Sequence, residues 1–144
     1  MEFVFKLHAL AAKEETLERG RFRSGMVTIA GSGYLPPPAT ELPAKFIELI
    51  ESADAITNIY DRAIHVFLTM ARNQFFYDVN KRTGRLMMNG ILLSAGYPVI
   101  NLPAKRQLEF NELMMRFYDS ADELEMNLFL RSCIDPRAVK IMCE

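Results

Sequence analysis

The chain has 144 residues, half of them hydrophobic, with 17 Lys and Arg against 18 Asp and Glu. That is one domain's worth of chain with enough apolar material for a sizeable core, which excludes long disorder. A formal net charge of −1 gives no basic surface for nucleic acid, so no nucleic-acid partner is expected. The two cysteines, Cys133 and Cys143, form neither a disulfide framework nor a metal set, and a reducing cytoplasm is the simplest home. Met1 to Ala12 lacks the order of a signal peptide, and no apolar run reaches membrane-spanning length, so no membrane association is expected.

In chain order, Phe3 to Arg19 reads as a helix with Phe5, Leu7, Leu10 and Leu17 as apolar positions and Gly20 as its stop. Glu14, Glu15 and Glu18 form its solvated face, and His8 is left on the surface. Phe22 to Leu35 is the one strand-like stretch. Met26, Val27, Thr28 and Ile29 favour β structure, and Gly31-Ser32-Gly33 can turn the chain before Tyr34. A two-stranded hairpin here must lie on helices to be stable. Pro36-Pro37-Pro38 then forces an extended connection.

Leu42 to Ala53 reads as a helix, with Pro43 in its first turn and Phe46, Leu49 and Ile50 on one face. Ile56 to Phe75 is longer, with Ile56, Tyr60, Ala63, Ile64, Phe67 and Ala71 at helical spacing. His65 lies among these apolar neighbours and reads as a satisfied core histidine rather than a catalyst. Thr83 to Gly96 has apolar residues on most sides and is expected to be the buried central helix, with Met87, Met88, Met114 and Met115 as core filler. Lys105 to Ser120 and Glu123 to Cys133 complete the set, Asp135-Pro136 ends the last, and the residues beyond Arg137 form a short tail or partial helix.

Between the two central helices runs Gln74-Phe75-Phe76-Tyr77-Asp78-Val79-Asn80-Lys81-Arg82-Thr83-Gly84-Arg85. Arg82 and Arg85, three apart, project from one side of a helix's first turn. The backbone N–H groups there are unpaired and the helix dipole is positive. Two guanidiniums beside such a start suit an anion, phosphate first, and Asp78 just before them can hold a divalent metal that bridges phosphate oxygens. The spacing equally fits a plain helix start in which Asp78 or Asn80 is an N-cap and the arginines are solvated.

The stretch resembles the signature of the Fic family, His-x-Phe-x-(Asp/Glu)-Gly-Asn-(Gly/Lys)-Arg-x-x-Arg. Phe76, Asp78, Asn80, Lys81, Arg82 and Arg85 match; Gln74 stands in the place of the family's catalytic His, and Val79 in that of its usual Gly. Phe22 to Pro38 resembles the family's flap hairpin and Pro-rich turn, and Phe110 to Phe129 its C-terminal helices. The resemblance implies an all-α Fic-like bundle with one small β-hairpin flap, in a single domain spanning residues 1–144. It implies transfer of AMP from ATP, with Mg²⁺, to a Ser, Thr or Tyr hydroxyl of a target protein. Asp78 is then the metal ligand, Asn80, Lys81, Arg82 and Arg85 hold the nucleotide phosphates, Gln74 occupies the base position, and Val27, Thr28 and Ile29 of the flap position the target.

Two departures bear on activity. A Gln amide cannot take a proton near neutral pH as imidazole does. A β-branched residue resists the positive φ that Gly permits, so Val79 matters if the loop needs that conformation. The expected function is therefore a Fic protein that keeps nucleotide-phosphate binding and has impaired catalysis. The alternatives are a non-catalytic Fic-fold module that binds nucleotide or protein, and a Doc-like phosphotransferase toxin, whose local pattern Val79-Asn80-Lys81-Arg82 resembles. No stretch fits the family's inhibitory (Ser/Thr)-x-x-x-Glu-(Gly/Asn) helix, which leaves that role to a separate partner protein or to none.

Overall fold

The computed structural model describes residues 1–13 and 18–142. Among the described residues seven α-helices follow one another: α1 (Glu2–Ala11), α2 (Leu42–Asp54), α3 (Ile59–Asn73), α4 (Asn80–Ser94), α5 (Gln107–Ser120), α6 (Leu124–Ser132) and α7 (Pro136–Met142). Short 3₁₀ turns at Ala39–Glu41 and Ala104–Arg106 lead into α2 and α5. Among the described residues there is no sheet, only an isolated antiparallel bridge between Ile100 and Ile134.

The central element is α3, which packs against α2, α4 and α6. Asn58 caps its start by accepting the Asp61 N–H at 3.1 Å, and its buried side chains serve two cores. Ala63, Ile64, Phe67, Leu68 and Ala71 join Met88, Leu92 and the inner faces of α5 and α6. Val66 and Met70, on its other side, join Val4, Leu42, Phe46, Leu49, Phe75 and Phe76. Helix α4, expected to be the buried centre, is not: Leu86 and Leu93 are 45% and 59% exposed. Its all-round apolar pattern exceeds what its neighbours cover. Of the expected core methionines, Met88 and Met114 are buried, while Met87 and Met115 are half-buried at the margins.

The close approach of α3 and α4 depends on Gly84. A Cβ there would lie 3.1 Å from Phe67 Cδ2 and 3.2 Å from the Phe67 carbonyl oxygen. Phe67 is fully buried and the carbonyl belongs to the α3 backbone, so neither yields cheaply. Overpacking of this kind costs about 1–3 kcal/mol, against roughly 1 kcal/mol of helix propensity gained on replacing Gly by Ala. Gly84→Ala is expected to lower stability by about 1 kcal/mol in denaturant titrations, and an unchanged or raised midpoint would contradict this.

Three further expectations are corrected. The first helix ends at Ala11 rather than running to Arg19; Glu14, Glu15 and Leu17 lie outside the described residues. The chain turns back over its own helix, because the Gly20 N–H donates to His8 Nδ1 at 3.0 Å and Gly20 packs against Ala9. His8 is accordingly fully buried rather than on the surface. The flap hairpin is likewise not formed. From Arg23 to Ala30 the residues alternate between more and less buried with period two, as in an extended segment, and the turn closes with Ser32 N–H donating to the Ile29 carbonyl at 3.1 Å. Gly31, at φ 83°, takes the left-handed position that this turn requires. Beyond it the chain is anchored to helices. Ser32 Oγ donates to Asp119 at 2.7 Å, and the Tyr34 ring lies under the Arg72 guanidinium at 3.8 Å. These side-chain anchors, with the prolines after them, carry residues 34–38 away from Val27–Ile29, so no ladder forms.

Candidate active site

The turn between α3 and α4 is built by two residues with left-handed backbones, Gln74 (φ 50°, ψ 61°) ending α3 and Val79 (φ 53°, ψ 31°) preceding α4. For a β-branched residue such a φ costs about 1–2 kcal/mol, and it persists only where its surroundings over-determine it. Here they do. Asn80, 6% exposed, accepts the Phe76 N–H on Oδ1 at 2.9 Å. Its Nδ2 donates to the Phe76 carbonyl at 2.7 Å and to Gln74 Oε1 at 3.0 Å. Gln74 Nε2 donates to the Ala71 carbonyl at 2.6 Å. The Gln74 amide is thus a clasp from the last turn of α3 to the first residue of α4, and both amide protons of Asn80 are engaged.

Beneath the turn lies an aromatic bed. Phe75 and Phe76 are buried, Phe22 packs against Phe5, Phe46, Phe75 and Phe76, and the His8 ring stacks on Phe76 at 3.7 Å. His8 Nδ1 accepts the Gly20 N–H, so its Nε2 bears the proton and donates to the Asp78 carbonyl at 3.2 Å. Burial lowers the His8 pKa below its usual 6.5, with the Asp78 contact opposing. The unfolded chain therefore binds a proton first on acidification. The His8 contribution is complete above about pH 6.5 and is lost as pH falls through that value toward the folded pKa. Urea midpoints are expected to fall between pH 7.5 and 5.5, and His8→Gln to flatten that slope; a slope that survives the substitution would assign it elsewhere.

Arg23, missed by sequence reasoning, fixes the turn from the other side. It is 2% exposed and donates to the carbonyls of Gln74 (2.5 Å), Pro37 (2.5 Å), Gly25 (2.8 Å) and Asn73 (3.3 Å). Its own N–H donates to the Phe75 carbonyl at 3.0 Å. One side chain thereby ties the extended segment, the prolines and the end of α3 together.

Above the turn is an open cleft of about 340 Å³ lined by Gln74, Tyr77, Asp78, Val79, Asn80, Lys81 and Arg82. The α4 start that faces it has no side-chain cap and no acidic residue, and its first turn carries Lys81 and Arg82, charges of the sign that the helix dipole disfavours there. Arg82 also donates to the Ala11 carbonyl at 3.1 Å. Five sequence-predicted residues, Gln74, Asp78, Asn80, Lys81 and Arg82, therefore meet in one cleft. Arg85 stands one turn along α4, outside this lining. It lies near Cys133, whose thiol burial pushes up in pKa while the charges of Arg106 and Arg85 oppose it. Val27 and Ile29 are half-buried and Thr28 is exposed on the extended segment.

Asp78 is exposed at the cleft, and among the described residues no group of three or more His, Cys, Asp or Glu is placed to hold a metal unaided. One exposed carboxylate at the edge of a cleft that also carries Lys81 and Arg82 is a donor set that Mg²⁺ takes where other ligands are supplied by a bound anion and water, so the residues present fit such an ion.

The family model of the Fic/DOC family matches residues 1–92. The chain belongs to this family. It is 28% identical over 128 residues to a protein adenylyltransferase Fic of Drosophila willistoni, covering 84% of this chain and 24% of that protein. The corresponding protein of Drosophila melanogaster is 27% identical over 125 residues, with the same coverage. The chain thus spans about a quarter of the length of these relatives. In structure it resembles a Fic domain-containing signaling protein from Bacteroides thetaiotaomicron, with a TM-score of 0.80, 19% identity, and 98% of this chain and 60% of that one covered. A Fic family protein from Desulfovibrio desulfuricans aligns with a TM-score of 0.58, 23% identity, and 82% and 35% covered. Both likenesses concern the fold. Among the described residues no helix is long and apolar enough to cross a membrane.

Proposed function

We propose that residues 1–144 act as one Fic domain whose cleft binds the phosphates of ATP, and whose transfer of AMP to a protein hydroxyl is impaired by Gln74. The observation that carries this reading is the cleft itself: an uncapped helix start bearing Lys81 and Arg82, with Asp78 at its edge. An anion there offsets both the positive end of the helix dipole and the adverse charges. Asp78 would hold Mg²⁺, which when bound draws charge off the phosphates. Arg82 and Lys81 would hold the inner phosphates, and Arg85, on the same side one turn on, the outermost. Asn80 joins them by turning toward phosphate the proton it now gives Gln74. Val27, Thr28 and Ile29 would position an extended stretch of a hydroxyl-bearing target across the cleft.

The second reading, a non-catalytic module that binds nucleotide or protein, is favoured by the engagement of the Gln74 amide with Ala71 and Asn80, which makes this residue a structural clasp. The Doc-like phosphotransferase reading has only the local pattern at Val79-Asn80-Lys81 behind it. Calorimetric titration with Mg-ATP, beside a labelled-nucleotide transfer assay, separates these readings. ATP is expected to bind, and Arg85→Ala to weaken ATP by about tenfold or more while AMP is little affected, since charge-assisted bonds to the outer phosphate are lost. Equal weakening of both nucleotides, or no ATP binding by the parent chain, would reject the assignment.

A further inference from the structure

Away from the cleft, three residues from three elements converge. Ser52, exposed in the last turns of α2, places Oγ 2.8 Å from Nε2 of His65 on α3. His65 Nδ1 lies 2.8 Å from Oε1 of Glu123, immediately before α6. An ionised carboxylate only accepts hydrogen bonds, so Nδ1 carries the proton of the neutral ring and Nε2 presents its lone pair to the Ser52 hydroxyl. The hydroxyl has one other acceptor, the Leu49 carbonyl at 3.0 Å, on which it can rest when the ring is protonated. A hydroxyl held on an imidazole that is itself oriented by a carboxylate is the arrangement of an activated nucleophile. None of the three residues lines the nucleotide cleft.

We propose that Ser52 is a second, independent reactive centre of this chain, an acceptor of acyl groups from activated esters, with His65 as its base and Glu123 as the residue that positions the base. Ser52 Oγ bonds to the ester carbonyl carbon, its proton passes to His65 Nε2, and the ester's alkoxide or phenolate leaves with the bonding electron pair. The imidazolium formed is held by the Glu123 carboxylate. His65 Nε2 then gives this proton to the departing oxygen or to solvent. Water, giving its own proton to the freed nitrogen, later cleaves the acyl-serine to the carboxylic acid, and Ser52 Oγ takes that proton back. Ser52 lies near the end of α2, where the helix dipole disfavours a developing oxyanion. The acceleration is therefore that of base assistance, at the low end of its range, about 10²-fold.

The test is exposure of the full chain to p-nitrophenyl acetate, with the acetylated sites located by peptide mass mapping. Ser52 is expected to be acetylated about 10²-fold faster than the other surface serines, by the base-assistance range above. His65→Gln should bring it to their level. Glu123→Gln should cut the Ser52 rate severalfold; if Glu123 only braced the helix turn, the melting temperature would move and the Ser52 rate would not. Since Ser52 is exposed, Ser52→Ala tests the site without threatening the fold, and it should abolish the fast phase of p-nitrophenolate release. Acetylation spread evenly over surface hydroxyls, or a fast phase that survives Ser52→Ala, would overturn the proposal.

Discussion

Arg23→Ala is expected to lower stability by about 3 kcal/mol or more, the largest single-residue loss among those considered. The guanidinium reaches four main-chain carbonyls from within the protein. Each buried carbonyl left without a donor costs about 1–3 kcal/mol, less where water enters. Two of them, on Asn73 and Gln74, belong to the end of α3, where the dipole adds to the attraction for a cation. Arg23→Lys should recover only part of the loss, because three donors on one nitrogen cannot span carbonyls that flank a planar fork. The same substitution frees the segment bearing Val27–Ile29 and slackens the backbone of Gln74, so Mg-ATP affinity should fall with stability. Chemical denaturation of the two variants checks this, and a loss below about 1 kcal/mol for Arg23→Ala would show that water replaces the guanidinium at most of its carbonyls.

The reason Arg23 escaped sequence reasoning is physical. Arginine is rarely buried, and what buries this one is a set of carbonyls contributed by residues 25, 37, 73 and 74, which no local pattern announces. His8 escaped for a similar reason, since its burial depends on Gly20 and Asp78 reaching it from other parts of the chain. Helices α2 to α6 were legible because their apolar spacing is local. The start of α4 was read one turn late, at Thr83 instead of Asn80, because Asn80-Lys81-Arg82 are polar and extend the helix without adding to its apolar face. The strand propensity of Val27-Thr28-Ile29 was real, but a hairpin also needs a second strand, and Ser32 and Tyr34 bind α5 and α3 instead. At the turn the sequence was more informative. A valine where the family motif has glycine raised the question of a positive φ, and Val79 does adopt one. His65 was read as a satisfied core histidine rather than a catalyst. It is hydrogen-bonded, through partners whose identity only the fold supplies, but it is partly exposed rather than core, and it is the base of the centre proposed at Ser52.

Gln74→His is expected to raise transfer of AMP from Mg-ATP to a hydroxyl-bearing acceptor, such as a Ser, Thr or Tyr of the chain itself, by up to about 10²–10⁴-fold, the range general-base catalysis allows. Two changes act together. Imidazole supplies a proton acceptor that the amide lacks. Removing the amide also breaks the clasp, releasing the Asn80 Nδ2 proton now given to Gln74 Oε1 at 3.0 Å, so that Asn80 is available to phosphate. The gain should vanish in Gln74→His with Asp78→Ala, where metal and phosphate alignment fail. Val79 enters as a control rather than a cause. The loop already takes the left-handed conformation with valine in place, so Val79→Gly should relieve about 1 kcal/mol of strain and change transfer little. If Gln74→His is silent while ATP still binds, and Val79→Gly added to it restores transfer, the fault lies in the loop's backbone. If the parent chain transfers nucleotide as well as the His variant does, another group is the base and Gln74 is not what limits the reaction.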